Sequence, residues 1–102
     1  MAAGKIVLSG FDVDEAEKSI LNNLIQNYEK KAERLNYSEI RLRLKKTIKG
    51  KAFLHEVHGT MMTDKMLNAK VYDYNLFAAV SEVLEKLMHE AEHNKRTSRQ
   101  KV

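Results

Sequence analysis

The chain contains no cysteine, which removes disulfide frameworks and thiolate zinc cages as sources of stability and fits a reducing compartment. Long apolar runs are missing too. The stretch Ile6–Leu8 is far shorter than the apolar core of a secretion signal, and no segment approaches the roughly 20 apolar residues of a membrane-spanning helix. A cytoplasmic protein that meets no membrane is therefore expected. There is no glycine-rich phosphate loop, no Ser/His/Asp arrangement and no aspartate cluster, so no enzyme activity, cofactor or small-molecule substrate is expected. Internal repeats and linkers are lacking as well.

What is present is enough for one folded unit. The 102 residues are 43% hydrophobic, which supports one modest core and excludes both disorder and a second domain. Residues 1–94 are expected to form an α/β domain. Residues 95–102 form a basic tail without apolar partners, expected to fray.

Periodicity predicts the elements. Lys5 to Ser9 reads as a β-branched and aliphatic strand closed by Gly10. Asp12 or Asp14 can cap the next helix, with Glu15 and Glu17 near the positive end of its dipole. From about Val13 to Leu35, Ile20, Leu21, Leu24, Ile25, Tyr28, Ala32 and Leu35 recur at three- and four-residue steps and define a buried stripe. After Asn36-Tyr37, Ile40, Leu42 and Leu44 alternate with Glu39, Arg41, Arg43 and Lys45, the period of two of a half-buried strand. A basic turn from Lys45 to Lys51 is expected to lead into a third strand through Phe53 and Val57. Gly59–Lys65 is expected as a hairpin loop, and Met66 to Tyr72 as a fourth strand. Asn75 can cap a second helix from Leu76 to about Asn94, with Leu76, Phe77, Val80, Val83, Leu84, Leu87 and Ala91 on its core face. The order β-α-β-β-β-α implies an α+β fold: a four-stranded mixed sheet with a right-handed first crossover and two helices packed on one face, as in double-stranded-RNA-binding domains. The other face stays open, and the second strand presents Arg41, Arg43 and Lys45 there.

The 18 basic and 14 acidic residues leave a net charge of +4. That excess favours a polyanion only where it is concentrated, as at Arg41, Arg43 and Lys45, at the four lysines between Lys45 and Lys51, and in the tail. His89-Glu90-Ala91-Glu92-His93 matches the H-E-x-x-H pattern of helical zinc sites. The nine residues after it hold no His, Asp or Glu, so a third ligand has to come from upstream; a solvated or RNA-facing helix end is expected instead of a metal site. His55 is expected as a packing or strand-edge histidine.

Two stretches carry a family resemblance. Lys51-Ala52-Phe53-Leu54-His55, and Leu67 through Val80 followed by Val83-Leu84-Glu85-Lys86-Leu87, resemble the ribosome hibernation-promoting factors, including the ribosome-associated inhibitor of the cold and stationary-phase response. That family shares the order β-α-β-β-β-α, and the resemblance covers roughly residues 5–94. It implies a stress-response translation inhibitor that binds the small ribosomal subunit and its ribosomal RNA, occupies the path of messenger and transfer RNA, and stabilises idle ribosomes. The chain resembles the short form, which implies a monomer or weak dimer. Family members contact RNA through basic residues on their helices. Here Lys30 and Lys31 on the first helix and Lys86, His89 and His93 on the second stand at or near those positions. Glu82, Glu85, Glu90 and Glu92 make the second helix more acidic than the family pattern, which shifts the expected RNA surface toward Arg41, Arg43, the Lys45-Lys46 pair, Lys95 and Arg96. The residues themselves leave two other readings open: a general double-stranded RNA-binding module, and a protein-interaction domain of the same fold.

Overall fold

A computed structural model describes the backbone of residues 5–100 and the side chains of residues 5–93. Its elements are β1 (Lys5–Ser9), α1 (Glu15–Ala32), a 3₁₀ turn (Glu33–Leu35), β2 (Glu39–Lys49), β3 (Ala52–Met62), β4 (Met66–Asp73) and α2 (Leu76–Gln100). The sheet order is β1-β2-β3-β4, with β1 parallel to β2 and the other pairs antiparallel. This is the expected α+β order, with both helices on one face of a four-stranded mixed sheet.

Local chemistry sets the helix ends. The Asp14 carboxylate accepts the Glu17 N–H at 2.8 Å, and the Glu17 carboxylate accepts the Asp14 N–H at 3.3 Å, a reciprocal capping box. Asn36 then breaks the chain out of the 3₁₀ turn with a left-handed φ of 51°. At the second helix the Asn75 side chain accepts the Ala78 N–H at 3.1 Å.

The core lies between the two layers. Ile40, Leu42, Leu44, Val57, Met61, Leu67 and Val71 point from alternate strand positions toward Leu21, Ile25 and Tyr28 of α1 and Leu76, Val80, Val83, Leu84 and Leu87 of α2. Each such large aliphatic chain contributes about 1.5–3 kcal/mol on burial. Tyr28 bridges the helices: its hydroxyl donates to a Glu85 carboxylate oxygen at 2.8 Å. Burial, reinforced by that carboxylate, raises its pKa above the usual tyrosine value. Tyr37, also buried, is raised by desolvation and by the charges of Glu29 and Glu33.

Four expectations need correction. Gly59 to Met62 belong to β3, and the turn to β4 is only Thr63-Asp64-Lys65. Gly59 is a packing glycine: an added Cβ would lie 2.8 Å from Leu87 Cδ1 and 3.1 Å from Leu42 Cδ2, so α2 sits directly on the sheet. The basic "turn" from Lys45 is strand down to Lys49, and the chain reverses at Gly50-Lys51 with Gly50 at φ +64°. Ile20 is half exposed: the neighbouring Leu21 takes the core position, and Ile20 lies at the edge of the α1 stripe. Finally, α2 continues past Asn94, the end expected from its apolar stripe, to Gln100.

Candidate nucleic-acid interface

The open face of the sheet is assembled by register. Ser9 pairs with Arg43, Arg43 with His58 and His58 with Lys70, so these four side chains form one transverse row across all four strands. The adjacent row is Val7, Arg41, Thr60 and Asn68. On the other side stand Lys45, Glu56 and Tyr72. Between β1, β2 and β3 the surface dips into a depression of about 460 Å³ lined by Val7, Ser9, Arg41, Arg43, His58 and Thr60.

The acids on this face are already engaged. Glu39 pairs with Arg41 along β2, and Glu56 lies 3.7 Å from Lys70 Nζ. Arg43 and Lys45 form no ion pair among the described residues, so their charge stays available to an external anion. The basic line continues outward. β1 ends opposite Arg43 and β4 opposite His55, whereas β2 and β3 remain paired through Thr47–Leu54, Ile48–Phe53 and Lys49–Ala52. Lys49 and Lys51 thus lie on a projecting two-stranded arm.

The expected site residues divide between opposite sides of the molecule. Arg41, Arg43 and Lys45 share the open sheet face. Lys46 points to the other side, where its ammonium donates to the Asp12 carbonyl at 3.1 Å and lies 5.9 Å from the Phe53 ring centre. Lys30 and Lys31 are exposed on α1, with the Lys31 ammonium 5.0 Å from the Tyr28 ring centre. Lys86, His89 and His93 are exposed along one outer stripe of α2, among Glu82, Glu85 and Glu90. One flat partner cannot touch both sets. The side chains of Lys95 and Arg96 lie outside the described residues. His58 and Lys70 escape a reading of the sequence because only strand register places them beside Arg43; the period of two gives their face, not their neighbours.

Other chemistry finds little support in this geometry. His55 Nδ1 is 3.2 Å from the Asp73 carbonyl oxygen, which occupies it at the strand edge. Among the described residues no three His, Asp or Glu side chains come together to hold a metal ion, and no helix is long and apolar enough to cross a membrane. Tyr72 and Tyr74 are both more than half exposed, and Tyr72 adjoins the basic rows of the sheet. The surface can therefore neutralise phosphates with Arg43 and Lys45 and offer Tyr72 as a stacking platform at its margin.

Neither a protein-family model nor a curated protein matches the sequence. Solved structures do match in fold. A ribosomal subunit interface protein from Coxiella burnetii superimposes with a TM-score of 0.60 at 19% identity, covering 90% of this chain and 96% of that one. The N-terminal domain of Thermus thermophilus Protein Y gives 0.56 at 12% identity, covering 91% and 98%. The chain thus shares, over nearly its whole length, the fold of a ribosomal subunit interface protein, in agreement with the resemblance carried by Lys51–His55 and Leu67–Val80.

Proposed function

We propose that this chain is a ribosome-binding translation inhibitor: it docks on ribosomal RNA of the small subunit, occupies the path of messenger and transfer RNA, and keeps idle cytoplasmic ribosomes silent. The observation that carries this reading is the basic band of Arg43 and Lys45 on the open sheet face, neither held in an ion pair among the described residues, with Lys49 and Lys51 extending it. The fold shared with a ribosomal subunit interface protein supports the same partner. Inhibition by occlusion is steric, so it uses no cofactor and no turnover. Contacts through lysine and arginine release counterions, and binding should weaken steeply as salt rises from about 50 to 200 mM. Pelleting with small subunits and with whole ribosomes across that series tests the reading. Association no greater than that of an acidic control protein at low salt overturns it.

The acidic outer surface of α2 favours a second reading, a protein-interaction domain of the same fold, with Glu82 and Glu90 meeting a basic protein surface. Neutralising them separates the two. Glu82→Gln with Glu90→Gln should leave ribosome binding equal or stronger if RNA meets the sheet face, and should weaken it if α2 docks on a basic protein.

A further inference from the structure

The projecting β2–β3 arm carries a feature that phosphate binding does not use. Ile48 and Phe53 are direct cross-strand partners near its tip, and they are 70% and 54% exposed. Ile48 is the most exposed large apolar side chain among the described residues. Both lie on the side of the arm facing away from the open sheet face, beyond the core that the helices cover. The arm reaches about 10 Å past the last three-stranded row, Lys46–His55–Asp73, at about 3.3 Å per residue.

Single exposed apolar residues are ordinary, and by themselves they call for no partner. Here two of them are paired and sit at a protruding tip; Lys46 shares their side of the arm, Lys51 stands in the turn beyond them and Lys49 lies on the opposite side of the tip, with no acidic residue from Lys45 to Phe53. Lys46 already rests against one side of the Phe53 ring. An apolar pair bordered by Lys46 and Lys51 at a tip that Lys49 also reaches fits a partner that offers a flat π-face flanked by anions, which is an unpaired base within its phosphate backbone. The two sides of β2 meet at this tip: Lys49 carries the Arg43–Lys45 band to it along the open face, and Lys46 lies with Ile48 and Phe53 on the other.

We infer that the Ile48–Phe53 pair is a wedge for structured RNA: an unpaired base stacks on the free face of Phe53, Ile48 packs beside it, and the lysines of the arm hold the flanking phosphates. This rests on the RNA-binding reading above and adds to it a preference for loops or bulges over plain duplex.

The test compares two fluorescently labelled RNAs of equal length, a blunt duplex and the same duplex with a single-base bulge. Wild-type protein should favour the bulged RNA. Phe53→Ala should weaken binding to the bulged RNA about tenfold and barely change binding to the duplex, because stacking is lost and charge is not. Phe53→Trp should keep the preference, and its indole emission should be quenched by the bulged RNA only. Lys49→Gln with Lys51→Gln should weaken both RNAs and flatten the salt dependence. Circular dichroism confirms that each variant folds. If Phe53→Ala weakens neither RNA or both equally while the lysine variant still weakens both, the wedge is overturned and the RNA reading stands. If the wild type binds neither RNA nor ribosomes at low salt, both fail. Phe53-dependent binding to phosphatidylserine vesicles without any bulge preference also overturns the wedge, assigning the pair to a lipid surface.

Discussion

The open sheet face and the outer surface of α2 are both solvent-exposed, and from sequence alone both qualify as RNA-binding surfaces, yet their charge differs in sign. On the sheet, Glu39 and Glu56 are tied to Arg41 and Lys70, which leaves Arg43 and Lys45 outside any ion pair among the described residues. On α2, Lys86 is surrounded by Glu82, Glu85 and Glu90. Over the described residues the two surfaces therefore differ, positive on the sheet face and acidic along α2 from Glu82 to Glu90. Interspersed carboxylates repel the phosphates that a lone lysine would attract, so the placement of charge outweighs the net +4. A polyanion should approach sheet first.

The contrast breaks or sharpens under substitution. Charge reversal on the sheet, Arg43→Glu with Lys45→Glu, should lower ribosome association on the order of 100-fold at low salt, read by pelleting. An equal loss from reversing Lys30 and Lys86 would remove the distinction between the faces. The back-to-back arrangement itself depends on α2 sitting directly on Gly59. Gly59→Ala should destabilise the fold by about 1–3 kcal/mol in chemical denaturation, since the new methyl group collides with Leu87 unless the helix lifts. A smaller effect is expected on the helical side. Lys86→Gln with Lys30→Gln should change ribosome association by no more than about threefold, and a tenfold loss would move the interface to the helices.

The smallest effect belongs to the interior. Burial raises the Tyr28 pKa, so the folded state holds that proton more tightly than the unfolded chain does. Its contribution to stability is complete below the unfolded value near 10 and is lost as pH rises through the higher folded value. Thermal melts should therefore show stability falling as the pH climbs past about 10. Tyr28→Phe should make that fall shallower, with Tyr37 supplying what remains.

The elements were legible because their signals are local. Alternation of Ile40, Leu42 and Leu44, the three-and-four spacing in α1 and α2, and caps at Asp14 and Asn75 each act within a few residues. The errors came where one residue type serves two purposes. Gly59 looks like a turn glycine, but only the proximity of Leu87 makes it a packing glycine. The lysines from Lys45 to Lys49 look like a solvated turn, yet β3 supplies a partner strand that keeps them extended. Ile20 fits the helical period but lies at the edge of the buried stripe, where Leu21 takes the core position.

Composition, periodicity and capping residues by themselves determined an α+β fold with one open sheet face bearing Arg41, Arg43 and Lys45, because side-chain alternation and hydrogen-bonded helix ends are short-range properties of the chain. Only the tertiary structure decided that Ser9, Arg43, His58 and Lys70 share a row, that the helical and strand cations look in opposite directions, and that Ile48 and Phe53 project together. Those relations come from strand register and layer packing, which join residues far apart in sequence and are set by burial of the whole core.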